Sequence, residues 1–266
     1  MNWRIGISSF TYAWFLLSLL GPIGALLASA VDEGASRLWA ELFRPEALFA
    51  LKLTLLITVI VVVINTVLGI LTALLIVRHP FPGVTVLNTI VDLPFAVSPI
   101  IAGFMLVLLY GPNSLIGGFA GEMGYKIIFA LPGMIVATLF VTFPFMVREV
   151  VPALQEVGTY QEQAAQTLGA SPWTIFWKVT LPSIRGSVFY GIVLTVARSL
   201  GEFGAVLVVS GNLINQTQSA TLYVYQAAAD FNSAGAYALS LLLCATSIVI
   251  LVLMESMKKY QEGRQA

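Results

Sequence analysis

LFALKLTLLITVIVVVINTVLGILTALLIV, residues 48–77, runs for thirty residues with a single charge, Lys52. A helix needs about 20 mostly apolar residues to cross the hydrocarbon core of a bilayer, because every backbone N–H and C=O must be satisfied within the segment there. This run exceeds that length, so the chain around it is read as a membrane protein. Working outward, five more runs qualify, at residues 10–30, 84–110, 129–147, 187–210 and 237–257. The expected fold is an all-α membrane protein: six transmembrane helices in one domain over residues 1–266, with a long polar loop at residues 149–186.

Composition agrees. Hydrophobic residues make up 58% of the chain and charged ones 10%, against roughly a quarter charged in an ordinary soluble domain, and the mean hydropathy is +0.91. The formal net charge is zero, which leaves no basic surplus for nucleic acid. The single cysteine, Cys244, lies in an apolar run and the single histidine, His79, beside Pro80. No disulfide framework or His/Cys metal site can be built from these, so neither redox nor zinc chemistry is expected. A membrane enzyme would need a nucleophile with a base, or clustered metal ligands, and no such set is found.

An even number of spans puts both termini on one side. If that side is the cytoplasm, the inner segments carry Arg4, Arg78, Arg148, Lys178, Arg185, Lys258, Lys259 and Arg264, and the outer ones Arg37, Arg44, Lys52 and Lys126. This eight-to-four split follows the positive-inside rule. Ala28-Ser29-Ala30 imitates a signal-peptidase site, but the run before it is longer than the roughly 7–15 residues of a signal core. A retained first helix is the better reading.

Several spans contain helix breakers: Pro94 and Pro99, Pro132 and Pro144, Gly201 and Gly204. Such breaks suit helices around a pathway, although proline and glycine are common in membrane helices generally. Ala197, Gly201 and Ala205 recur every four residues and would form a small-residue packing face. Beside them Arg198 and Glu202, also four apart, should meet across one turn. An unpaired charge in hydrocarbon costs at least about 2.5–3.5 kcal/mol on insertion scales, so each needs a partner or water. Two readings stand: a structural ion pair, or Arg198 giving positive potential along an anion path with Glu202 holding it in place. Asp92 precedes the segment bounded by Pro94 and Pro99 and is expected to cap a helix break there, direct contact with substrate on a translocation path being the alternative, while Ser98 suits either role.

The polar loop carries helix signals. Thr159 and Glu162 have capping-box spacing, and Gly169 suits a left-handed helix end. Ser171-Pro172 then supplies an N-cap and a first-turn proline, so a second helix is expected from Trp173 to Lys178, ending before Leu181-Pro182. This elbow bears Leu168, Trp173, Ile175, Phe176 and Trp177, more apolar surface than a solvated loop normally shows, so a protein partner is expected.

These residues carry a resemblance. Gln163-Ala164-Ala165, then Gly169, then Val179-Thr180-Leu181-Pro182 resembles the EAA loop of ABC-importer permeases, with Gln163 in place of the family's glutamate and Val179 in place of its isoleucine. Residues 92–103 and the stretch Ala-Arg-Ser-Leu-Gly-Glu-Phe-Gly-Ala at 197–205 resemble the sulfate and molybdate permease branch. Leu93-Pro94-Phe95-Ala96-Val97-Ser98-Pro99 and residues 163–173 are most similar to its W-type sulfate/thiosulfate subunits, the molybdate/tungstate permeases being the alternative.

The resemblance implies a type I importer permease in a prokaryotic cytoplasmic membrane. It also implies a second permease subunit, a different one in the sulfate type and a copy in the molybdate type, with two ATPase subunits and an external binding protein. The positions implied to meet the ATPase are Gln163, Ala164, Ala165, Leu168, Gly169, Ala170, Ser171, Pro172, Trp173, Phe176, Leu181 and Pro182. No Gly-x4-Gly-Lys-Ser/Thr phosphate loop occurs in the chain, so no catalytic residue or cofactor is expected here, and ATP and magnesium belong to the partners. An ion-gradient-driven transporter or channel would also show broken helices, but it leaves the paired loop helices unexplained.

Overall fold

The computed structural model describes residues 2–79 and 81–265, and the side chains of these except 2, 4–6, 19 and 257–265. Pro80 and the side chains of Arg4, Met257, Lys258, Lys259 and Arg264 therefore lie outside the described residues. All regular structure among the described residues is helical.

The first span combines α1 (Asn2–Phe15), a π-turn at Leu16–Leu20 and α2 (Gly21–Glu33). A short α3 (Ala35–Leu42) leads to α4 (Pro45–Arg78), which contains the apolar run at 48–77. Then come α5 (Val84–Ala96), α6 (Pro99–Tyr110) and α7 (Leu115–Glu122). The second half holds α8 (Leu131–Val157), α9 (Tyr160–Thr167), α10 (Pro172–Ile175), a π-turn at Phe176–Thr180 and α11 (Leu181–Leu200). Finally, α12 (Gly204–Ser210) and α13 (Ala220–Ala229) precede α14 (Ser233–Gln265).

Five helices are long and apolar enough to cross a membrane: Ile7–Glu33, Pro45–Arg78, Leu131–Val157, Pro172–Leu200 and Ser233–Ser256. The run at 84–110 is not one straight helix, because α5 and α6 meet at 114°, and counting the pair as one span makes six. Pro99 sets this bend. It occupies the first turn of α6, where its missing N–H is harmless, and forces Ser98 into an extended conformation, ψ +136°. Pro94 is instead accommodated inside α5.

The centre is a three-helix core of α4, α8 and α11. Lipid tails are as apolar as the helices, so close approach of small residues and interhelical hydrogen bonds must hold such a core together. Both are present. Fully buried Met146 of α8 is wedged between Gly69 of α4 and Gly191 of α11, where added Cβ atoms would stand 2.5 Å from its Cγ and 2.6 Å from its Sδ. Beside it Asn65 donates from Nδ2 to Thr142 Oγ1 at 2.7 Å, and that hydroxyl donates to the carbonyl of Thr138 at 2.6 Å.

Three sequence expectations change here. The helix begun near residue 129 does not end at Val147 but runs through Pro144 and Pro152 to Val157, so the polar loop is shorter than residues 149–186. The second loop helix does not stop before Leu181-Pro182, because Pro172–Leu200 is continuous through a π-turn in which the Leu181 N–H reaches back five residues to Phe176 O. Proline falls in the first turn of α11, and the wider turn accommodates the ring without a break. The small-residue face is also split. Helix α11 ends at Leu200 and Ala205 sits on α12, where it approaches Gly103 of α6 rather than extending a stripe with Ala197.

Candidate functional site

Two places bring the sequence-derived residues together. The first is the elbow between α9 and α10. Helix α9 ends as its composition requires: Gly169 takes φ +82°, and the Ala170 N–H reaches back to the carbonyl of Ala165 at 3.1 Å, the Schellman arrangement that glycine permits. Ser171 then caps α10, its Oγ accepting from the Thr174 N–H at 3.3 Å, with Pro172 in the first turn. Leu168 and Trp173 point outward, 88% and 70% exposed, with Trp177 beside them. Gln163, Ala164 and Pro182 are also exposed, while Ala165 and Ala170 are half-buried. Phe176 and Leu181 turn inward onto the core formed by Val147, Val151 and Ile184, so the outward apolar face is narrower than the sequence indicated.

The expected capping box does not form. The Thr159 side chain caps no amide and instead accepts from Gln163 Nε2 at 3.1 Å. Glu162 faces the other way, toward the last turn of α4. There Arg78 donates from Nε to Glu162 Oε2 at 2.9 Å and from Nη2 to Oε1 at 3.2 Å. Its remaining donors reach the carbonyls of Leu154, 3.1 Å, and Gly158, 2.7 Å, at the end of α8. The Thr180 hydroxyl donates to Glu162 Oε1 at 2.9 Å. Four segments meet on one guanidinium and one carboxylate. By sequence alone Arg78 counts only toward orientation, and the signal for its role is a lone arginine closing the longest span.

The second place is where two helix breaks face each other. Helix α11 stops at Leu200, and Gly201, Glu202 and Phe203 intervene before α12. Arg198 Nη1 and Glu202 Oε2 are 2.8 Å apart, the Glu202 side chain 1% exposed and that of Arg198 31%. The pairing is as expected, but Glu202 lies in the break rather than one helical turn along. There its Oε1 accepts from the Ala205 N–H at 2.9 Å, and its main-chain carbonyl accepts from Thr221 Oγ1 at 2.7 Å. It caps α12 and anchors α13 as well as neutralising Arg198. A Cβ on Gly204 would meet Pro99 at 3.0 Å and the Ile100 nitrogen at 3.4 Å, so the break that contains Ser98 packs directly on this one. Exposed Ser98 makes no side-chain cap.

Asp92 does not join this locus and caps nothing. It lies within α5 and forms a bidentate ion pair with Arg148 of α8, whose Nε donates to Oδ1 at 2.7 Å and whose Nη2 binds Oδ2 and the carbonyl of Asn88. Because Arg148 falls 56 residues later, no local pattern points to it. A separate groove of about 870 Å3 between α4, α5, α6 and α8 is lined almost wholly by apolar side chains, unsuited to a charged solute.

Broken helices meeting inside a bundle, together with an exposed two-helix elbow, suit a transporter's membrane component. The chain belongs to the family of binding-protein-dependent transport system inner membrane components, whose family model matches residues 65–265. It is 46% identical over 94% of its length to the sulfate transport system permease protein CysW of Synechococcus elongatus, covering 87% of that protein. Against CysW of Escherichia coli K12 it is 40% identical over its whole length and 91% of the relative's. The sulfate transport system permease protein CysT of the same bacterium is 35% identical over 88% of this chain and 85% of its own length. Among solved structures, a chain of a bacterial ABC transporter involved in the import of the acidic polysaccharide alginate has the same fold, with a TM-score of 0.79, covering 97% of this chain and 96% of that one at 19% identity. The chain is thus a multi-pass permease of the inner membrane, and not an enzyme.

Proposed function

We propose that the chain is the permease subunit of an ATP-driven importer of sulfate or thiosulfate, working by alternating access. The observation that carries this reading is the full-length similarity to sulfate permeases, and it favours sulfate over molybdate. Dehydrating even one unit charge costs on the order of tens of kcal/mol in the Born limit, so a divalent anion needs a polar path. The facing breaks, with Arg198 partly exposed and Ser98 beside them, are the candidate for it. Both termini lie in the cytoplasm, which places the elbow there for two ATPase subunits that carry ATP and magnesium. A second, different permease completes the path, and a binding protein delivers the anion outside. The chain binds no cofactor of its own.

The test is reconstitution with partner permease, ATPases and binding protein, followed by ATP-dependent uptake of radiolabelled sulfate competed by thiosulfate and molybdate. Uptake blocked by excess thiosulfate is expected; uptake that needs no ATPase, or that only molybdate displaces, overturns the reading.

The elbow gives a sharper expectation. At Gly169 no atom lies within 4 Å of an added Cβ, yet φ is +82°, so substitution strains only the backbone. For an L-residue that strain is about 1–2 kcal/mol, a bias of roughly tenfold away from the elbow conformation. Gly169→Val should therefore lower sulfate uptake roughly tenfold in a complex that still assembles and hydrolyses ATP. Wild-type uptake by the assembled variant would exclude the elbow as the coupling element.

A further inference from the structure

We propose that Arg78 and Glu162 are the positioning link that carries motion of the elbow into the transmembrane core, a role that rests on the ATP-driven permease reading above. Helix α9 buries no residue, and the helical segments it chiefly touches are α10 and the π-turn that follows. Packing therefore holds it weakly. What chiefly fastens it to the spans is the Glu162 carboxylate, which receives two bonds from Arg78 and one from Thr180, with one longer bond from Ser183 Oγ to Gln161 Oε1 at 3.4 Å beside it.

Arg78 closes α4, and its other donors grip Leu154 and Gly158 at the end of α8, so a displacement of α9 pulls two core helices at once. Thr180 brings in a third, since it immediately precedes α11. These three helices are the ones that interlock on Met146. The side chains of Arg78 and Glu162 are only 11% and 18% exposed, which shields the pair from the screening that makes surface pairs weak. The guanidinium fork serves Glu162 and two carbonyls simultaneously, a geometry that lysine cannot reproduce.

The link also explains how the elbow tolerates Gln163. The ionic contact is made one residue earlier and points inward, leaving Gln163 exposed on the partner-facing surface.

Two readouts on the reconstituted complex test this. In the first, ATP hydrolysed per sulfate imported is compared between wild type, Glu162→Gln and Arg78→Lys. Glu162→Gln should raise the ratio about tenfold, within the roughly 5–150-fold range of coupling between sites, and Arg78→Lys should fall between it and wild type. A variant that loses uptake only in proportion to lost complex, with an unchanged ratio, overturns the link.

In the second, spin labels at Gln166 on α9 and Leu75 on α4 report their separation on nucleotide addition, with Cys244 replaced by serine. The separation should stay constant in wild type and change in Glu162→Gln; the same behaviour in both overturns the link. Because this readout needs no sulfate, a wild-type complex that imports none sinks the substrate assignment while the distances still judge the link.

Discussion

Gly69→Val should prevent the protein from accumulating in folded form. A Cβ at residue 69 would stand 2.7 Å from Met146 Cβ as well as 2.5 Å from its Cγ. A Cβ cannot swing aside as a side-chain tip can, so α4 and α8 must separate. Met146 has no retreat on its far side, where a Cβ on Gly191 would lie 3.3 Å from its Cα. Overpacking a close-fitted core costs typically about 1–3 kcal/mol and sometimes more, and relief here requires a helix to move, so the upper end is expected. The yield of monodisperse protein in detergent and its thermal midpoint measure this. Gly69→Ala combined with Met146→Ala should be less destabilised than the sum of its parts, since residues in contact are not additive. A wild-type midpoint for Gly69→Val would mean that α4 and α8 do not pack through this glycine.

Glu202→Ala should have the next largest effect. It removes the acceptor of the Ala205 N–H and strips Arg198 of its counter-ion. Removing one member of a buried pair costs about 3–5 kcal/mol; the 31% exposure of Arg198 puts the expected loss near the lower figure, read as a fall in thermal midpoint. Glu202→Gln keeps an oxygen for Ala205 while removing the charge, so it should assemble better than the alanine variant. Arg198→Gln then separates packing from transport: a complex that assembles but imports sulfate more slowly and with altered anion preference places Arg198 on the path. Unchanged rate and selectivity would leave it a packing pair.

The readings that held rest on local chemistry. Gly169, Ser171 and Pro172 shape the elbow through their own φ preferences and a bond spanning three residues, and these are legible one residue at a time. Two of the readings that changed were ones in which a local partner competed with a distant one. Glu162 has capping-box spacing to Thr159, yet an arginine 84 residues earlier offers a full charge and a matched fork, which outweighs one amide. Asp92 has a free helix break nearby but pairs with Arg148 on another helix. Pro182 reads as a helix stop until the preceding turn widens to five-residue spacing.

Sequence by itself determined that this chain lives in a bilayer, how many apolar runs it has, where its elbow turns and which branch of permeases it resembles. Each of these follows from hydropathy, backbone preference or short motifs, all of which act within a turn or two. Only the tertiary structure decided that the two breaks meet through Gly204 and Pro99, that Met146 locks three helices, and that Arg78 joins four segments around Glu162. Those contacts pair residues far apart in the chain, and their energy comes from shape and charge geometry that exists only once the helices have packed.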